Sequence, residues 1–500
     1  MGDIKDQVPD ILEDVQQRPN QAEEKGEREE VIDESKYMKG WKLYMLTLGF
    51  WIALFLSTLE TTIVSTSLVA ITDSLRGFDI RNWIVTAYFL TYTGFLIIYA
   101  KLSSIFGQKT MMLLALSTFT VFSIGCGVTN DITTLIILRS FQGVGASGIY
   151  SMVLVFAPSL VPKREYGKFI GIISSVFVLA SVLGPILGGI IATHSTWRWV
   201  FLLNAPGGAI SIILIAIFLP ASKHDIPISL HNRICNKLAL NNLKRVDILG
   251  AFLLLVASIL FVFALQEGGS SFPWRSTAII CAFTTSGIAW VAFILVEIRL
   301  ENSPSLQEPI FPIRLLKNRV VAGMMITTFL IGFPFVAIVT NIPQRSQAVN
   351  GFSAVRAGLT LLPLLLSSPF ATTLSGVLTS KFKVPPIYII FIGAILQVLG
   401  VGLTITLPDH GGEISALQYV YETIMGIGFG FTLTTILTLA QLVVEEQEAG
   451  LVMGALTQKD AVRNEFAHGY NRQMGLLTVF SGLALLATLL LWERKPRVVV

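Results

Sequence analysis

From residue 43 onward, windows of roughly 20 apolar residues recur until the end of the chain, separated by short polar loops. A hydrocarbon core about 30 Å thick is crossed by about 20 helical residues. Lipid offers no partner to an unpaired backbone group, so each window that crosses must be helical. The windows fall near 43 to 66, 81 to 100, 111 to 129, 134 to 156, 168 to 191, 198 to 219, 247 to 265, 277 to 298, 320 to 342, 355 to 378, 386 to 407, 417 to 441 and 474 to 492. About thirteen spans follow, and the fold class is an all-α multi-pass membrane protein. A charged content of 14% against the roughly 25% of soluble domains agrees with this.

Loop charge sets the orientation. Lys101 and Lys109, Lys163, Arg164 and Lys168, the loop from 223 to 245, Arg314, Lys317 and Arg319, then Lys381 and Lys383 all fall on one side. The positive-inside rule makes that side cytoplasmic and places the N-terminus there. Residues 1-40, with the run EEKGEREEVIDES, have no apolar core and read as a disordered acidic cytoplasmic tail. They lack the apolar stretch of a signal peptide, so the first span serves as its own signal.

Several chemistries are excluded. Three cysteines, Cys126, Cys235 and Cys281, without C-x-x-C spacing make neither a disulfide frame nor a zinc site. The five histidines fall in loops and none is spaced as a metal pair. No G-x-x-x-x-G-K-[ST] phosphate loop is present, which removes ATP as a drive within the chain.

ASVLGPILGG, residues 180 to 189, puts three glycines and a proline inside an apolar helix. An interior glycine costs about 1 kcal/mol and a proline about 3 relative to alanine in an exposed helix. Ala180, Gly184 and Gly188 recur every four residues, which makes one smooth ridge for a close helix neighbour. Gly189 follows the ridge, and Pro185 cannot donate to the carbonyl of Ser181, which permits a bend. Ordinary tight packing accounts for the spacing equally well.

Charged residues inside spans are costly and are functional candidates by default. Glu60 lies about six residues from the outer end of the first window, and Arg139 about five from that of the fourth, so both are about 8 to 9 Å deep. That shared depth permits an ion pair. Gln142 and Gly143 share the helix face of Arg139. A static pair or snorkelling side chains is the alternative. Glu422 reads as interfacial, Glu297 and Arg299 as headgroup-level anchors, and Glu267 has no special role. Gly426, Gly428 and Gly430 read as a close helix contact.

Four stretches together resemble the major facilitator superfamily, most closely its fungal drug:proton antiporter branch with fourteen spans. RSFQGVGASG at 139 to 148 is similar to the fourth-span motif, ASVLGPILGG to the antiporter motif of the fifth span, and WRWVFLLNAPGG to the opening of the sixth. YAKLSSIFGQK stands where the family has its cytoplasmic loop motif. The resemblance implies a major facilitator fold of two six-helix bundles about a central cavity: an N-terminal bundle at 41-220, a cytoplasmic loop at 221-246, two linker helices at 247-298, an incomplete C-terminal bundle at 299-492 and a basic tail at 493-500. It also implies that the ridge of the fifth span sits at the seam where rocking bundles meet.

Two departures stand out. In the loop motif Lys101, Gly107 and Lys109 remain, but Ala100, Ser104 and Gln108 replace a glycine, an aspartate and an arginine, so the charged latch is weakened and a solvated turn with basic anchors is expected. After GALTQ at 454 to 458 the chain moves directly to a stretch resembling the approach to the last span, so one span is missing near residue 459.

The resemblance implies proton-coupled efflux of small hydrophobic or amphipathic compounds such as drugs, secondary metabolites or toxins, by a secondary active transporter and not an enzyme. Glu60 and Arg139 would carry proton coupling, and Gln142 and Gly143 would support the cavity. No cofactor is expected beyond the proton gradient. The expected partners are a small-molecule substrate and the lipid bilayer, without nucleic acid, for a monomer in the cell membrane or vacuolar membrane. An uptake carrier on the same fold, or a non-transporting truncated form or sensor, are the alternatives.

Overall fold

Each apolar window closes its own backbone hydrogen bonds as a helix, and the computed structural model shows one at every window. It describes residues 38 and 40–497 except 78–79, 163–164, 221–243, 270, 304–305, 349, 353, 408–413, 444–469 and 494–496. The acidic N-terminal segment, most of the loop at 221–246 and the stretch around residue 459, where one span is expected to be missing, therefore lie outside the described residues, as do Cys235 and all histidines except His194.

The helices are α1 (Trp41–Leu75), α2 (Arg81–Phe106), α3 (Gln108–Val128), α4 (Ile132–Leu160), α5 (Tyr166–His194), α6 (Asn204–Phe218), α7 (Ile248–Glu267), α8 (Thr277–Glu301), α9 (Arg319–Ala348), α10 (Leu362–Ser380), α11 (Pro386–Leu403), α12 (Ala416–Val443) and α13 (Tyr470–Thr488). Twelve stretches, all within α1 to α12 and the short turns beside them, are long and apolar enough to cross a membrane; the apolar part of the last, Leu476–Leu491, is shorter. Among the described residues the β-structure is confined to two isolated bridges, Val246 to Glu308 and Gly268 to Phe272.

Three expectations change. α1 continues past residue 66 to Leu75, so Glu60 lies in mid-helix and not near an end. The tenth window is two pieces, Ala354–Leu359 and α10, because Pro363 in the first turn of α10 suits a helix start better than an interior. His194 closes α5 and does not sit in a loop.

In the N-terminal half α1 packs on α5 and α6, α4 on α2 and α3, and α3 on α6. In the C-terminal half α9 packs on α13, α12 on α10 and α11, and α11 on α13. The two sets follow one pattern if α1, α2, α3, α4 and α6 correspond to α9, α10, α11, α12 and α13. Of the pairings just named, the α1 to α5 pairing alone lacks a counterpart among the described residues. The halves meet where α5 packs on α10, and the α7–α8 hairpin packs on α2 through α7.

Candidate functional site

A polar centre lies buried where α1, α2, α3, α4 and α6 converge. Arg139 Nη1 donates to Glu60 Oε1 at 2.7 Å and to Gln142 Oε1 at 2.9 Å, while its Nε donates to the Ile84 carbonyl at 3.1 Å. Asn204 Nδ2 donates to Glu60 Oε2 and, at 2.9 Å, to Ser123 Oγ, which in turn donates to the Phe201 carbonyl. The Arg139 guanidinium also lies over the Tyr88 ring, 4.3 Å from its centroid. Glu60, Gln142 and Ser123 are wholly inaccessible and Arg139 and Asn204 nearly so. Each acid oxygen has a donor, and the pair is held by helices distant in sequence. Removing one partner of such a buried pair strands the other charge, at a cost of about 3 to 5 kcal/mol.

The fourth-span residues divide between two tasks. Gln142 accepts from Arg139, whereas Gly143 is a contact: a Cβ there would strike Thr91 and the Tyr88 carbonyl of α2. Gly145 likewise fits against the Phe119 backbone of α3.

The small-residue ridge of α5 faces α1 inside the N-terminal half. Thr62 Oγ1 donates to the Ala180 carbonyl at 3.1 Å, a Cβ on Gly184 would strike Thr62, and Ser67 Oγ donates to the Gly188 carbonyl at 3.2 Å. The expected place at the seam between halves is therefore corrected. Against α10 the close approach is made by Gly171, whose Cβ would strike Thr373. Gly189 faces open space, and α5 runs on through position 185 as helix.

The loop motif is not a solvated turn. Lys101 is buried and its Nζ pairs with Glu308 Oε2 at 2.8 Å; Arg245 holds the other oxygen of Glu308 through Nε at 2.8 Å and Nη2. Burial works to raise the Glu308 carboxyl, but the hydrogen bonds and charges of Lys101 and Arg245 outweigh it and hold it below the usual carboxylate range. Lys109 Nζ donates to the Ala216 and Leu219 carbonyls at 2.8 and 2.6 Å, where the end of α6 leaves acceptors open. Gly107 joins α2 to α3 at φ +91°, a conformation that favours glycine. A charged clasp thus exists, fastened to different partners.

Two other readings are corrected by burial. Glu297 is wholly inaccessible and accepts the backbone N–H groups of Ile310 and Phe311, so it anchors the segment after α8 and not a lipid headgroup; Arg299 is exposed. Glu422 is also wholly inaccessible rather than interfacial. Gln418 Nε2 donates to Glu422 Oε1 at 2.9 Å, and Arg345 Nη1 donates to Gln418 Oε1 at 3.3 Å.

Asn204, Tyr88 and Ser123 belong to the site without any motif of their own; Asn204 alone carries a sequence signal, as a polar amide in an apolar run. Glu308 carried none, since nothing in a loop glutamate marks it as the partner of Lys101. Among the described residues no group of His, Cys, Asp and Glu is arranged to hold a metal ion, and Cys126 and Cys281 are free thiols.

Comparison with known proteins bears on this geometry. A family model described as Major Facilitator Superfamily matches residues 50–267 and 248–458. The chain is 50% identical over 434 residues to the MFS-type transporter FPY5 of Fusarium mangiferae, covering 87% of this chain and 72% of that protein. It is 30% identical over 404 residues to the efflux pump aflT of Aspergillus parasiticus, covering 81% and 76%. To the multidrug transporter protein MdtP of Bacillus subtilis it is 32% identical over 419 residues, covering 84% and 72%. The solved structure of the human organic anion transporter MFSD10 (TETRAN) matches with a TM-score of 0.58 at 14% identity, over 91% of this chain and 100% of that one, a likeness of fold alone.

Proposed function

The chain belongs to the major facilitator superfamily and is a membrane transporter, not an enzyme; from that premise we propose that it exports small hydrophobic or amphipathic molecules, such as drugs or secondary metabolites, in exchange for protons. The relatives named as an efflux pump and a multidrug transporter support the direction of transport.

The observation that carries the coupling is the Glu60–Arg139 pair. A proton delivered to Glu60 cancels its charge and removes the attraction across 2.7 Å, while Arg139 keeps Gln142 and the Ile84 carbonyl. The tie between α1 and α4 is then loosened, and the buried guanidinium, left with neutral acceptors alone, favours a rearrangement that brings it a new counter-charge or water. Loss of the proton restores the pair. A cycle that passes through both states moves one helix contact for each proton carried, and the membrane proton gradient supplies the free energy. The Tyr88 ring and Asn204 hold the two ends of the pair in place, so that the proton and not side-chain rotation decides its state.

Everted vesicles from cells expressing the chain test this. Accumulation of a fluorescent drug should follow an imposed proton gradient, vanish with a protonophore, and ignore ATP. Accumulation that survives collapse of the gradient would refute proton exchange. The plasma membrane is the proposed location, and metabolite profiling of medium and cells after gene deletion would identify what is exported.

A further inference from the structure

Short segments of α4 and α12 share one pattern. Arg139 precedes Gly143 and Gly145 by the same spacing with which Glu422 precedes Gly426 and Gly428. The structure gives the glycines the same duties. A Cβ on Gly143 would strike α2 at Tyr88 and Thr91, and one on Gly426 would strike α10 at Leu364 and Ser367. Gly145 lies on the α3 backbone, and Gly428 on the α11 backbone at Gly393 and Gln397. Since α2 and α3 correspond to α10 and α11, Glu422 occupies in the C-terminal half the place that Arg139 occupies in the N-terminal half.

The charge at that place is inverted, and so is its satisfaction. Arg139 meets an acid directly. Glu422 meets only the neutral amide of Gln418, and Arg345 stands one step further back on the Gln418 carbonyl. Glu422 Oε2 has no hydrogen-bond partner among the described residues, although the side chain is wholly inaccessible. An acid buried with an open acceptor calls for a donor or a cation that the described helices do not provide. On the same face Met425 and Phe429 follow at helical spacing, both buried, and Phe429 meets Phe335 of α9 edge to face at 4.7 Å. An aromatic face attracts a cation beside a carboxylate, and a methionine side chain adapts to the shape of an apolar ligand. Glu267 also has an open buried oxygen, but it ends α7 in the linker hairpin, outside both halves.

We propose that Glu422 is the anionic anchor of the C-terminal half, binding a cationic or N–H-donating group on a transported molecule whose apolar part lies along Met425 and Phe429. The transported class is then amphipathic organic cations and amines. This deepens the export reading and rests on it for transport, while binding stands on the site alone.

The full chain in lipid nanodiscs is titrated with ethidium, a planar aromatic cation, and with the uncharged dye Nile red. Glu422→Gln should weaken ethidium by about tenfold or more, the scale of losing one charged hydrogen-bond partner, and change Nile red less than about twofold. Glu422→Asp should keep ethidium within about fivefold. On the wild-type chain, saturating ethidium should protect Glu422 from carbodiimide labelling read by peptide mass spectrometry, which serves if the glutamine variant fails to fold. Unchanged ethidium binding in Glu422→Gln, or labelling indifferent to ethidium, overturns the proposal. Vesicles that bind ethidium through Glu422 but never export it would remove the proposed function and leave the anchor standing.

Discussion

Lys101 near the end of α2 and Glu308 beyond α8 are joined by a 2.8 Å ion pair that spans 207 residues of sequence. The pair fastens the exit of the linker hairpin to the N-terminal half. Glu308 also accepts from Arg245 just before α7, and its backbone N–H donates to the Arg245 carbonyl at 3.0 Å, so both ends of the hairpin meet at one carboxylate. The two loop-motif charges absent at positions 104 and 108 are thus answered by a clasp with a different partner.

That clasp should be a determinant of rate. Lys101→Gln and Glu308→Gln should each alter transport several-fold with little change in expression, and the swap Lys101→Glu with Glu308→Lys should recover part of it; no recovery would argue against a direct pair. Because the folded carboxyl lies below its ordinary 4.5, its stabilisation is full above that value and is lost only as pH falls through the lowered one. Limited proteolysis of the 302–313 segment reads this profile, with protection constant from pH 7 to about 5. Protection that fades within that window would show that the carboxyl is not held down by its two cations.

Glu60→Gln should abolish proton-driven accumulation while ligand binding stays measurable. Arg139→Gln should lower stability by about 3 to 5 kcal/mol, because Glu60 is left buried without its cation. The double variant should regain most of that stability and none of the coupling. Thermal denaturation in detergent beside vesicle transport separates the two effects, and pH-dependent transport by Glu60→Gln at the wild-type rate would remove Glu60 from the mechanism.

Gly184→Leu should block transport without preventing membrane insertion, since even a Cβ at this position strikes Thr62 on α1. Gly188→Leu should do the same, because Gly188 is buried and its carbonyl accepts from Ser67 on the same seam. Gly189→Ala, facing open space, should leave transport within about twofold. Transport assays on membranes with matched expression check all three, and a fully active Gly184→Leu would contradict the close contact.

Restoring one apolar helix between residues 458 and 463 should raise export. It would give α9 the neighbour that α5 gives α1, and it would move the basic cluster ERKPR at 493 to 497 to the cytoplasmic side, where the positive-inside rule places it. A cysteine placed after Arg497 reports its side through an impermeant thiol reagent. Uniform outside labelling of the present chain with export equal to the restored one would show that thirteen helices suffice.

The sequence by itself determined the helices. Length and hydropathy marked a helix at every window, though α1 overruns its window to Leu75 and the tenth window is split, because in lipid a backbone must satisfy itself locally and the apolar run carries the signal. It also marked Glu60 and Arg139 by the cost of charge in an apolar run. Only the tertiary structure decided which charges meet. Glu297 and Glu422 read as headgroup or interface residues, and Glu308 carried no signal, because their surroundings come from other segments: packed helices and the backbone of Ile310 and Phe311 around Glu297, packed helices around Glu422, and Lys101 with Arg245 around the half-exposed Glu308. The glycine ridge shows the same division. Its spacing declared a close neighbour, but whether that neighbour was α1 or α10 depended on how α5 is turned within the bundle, and a helix's own sequence does not contain the surface it packs against.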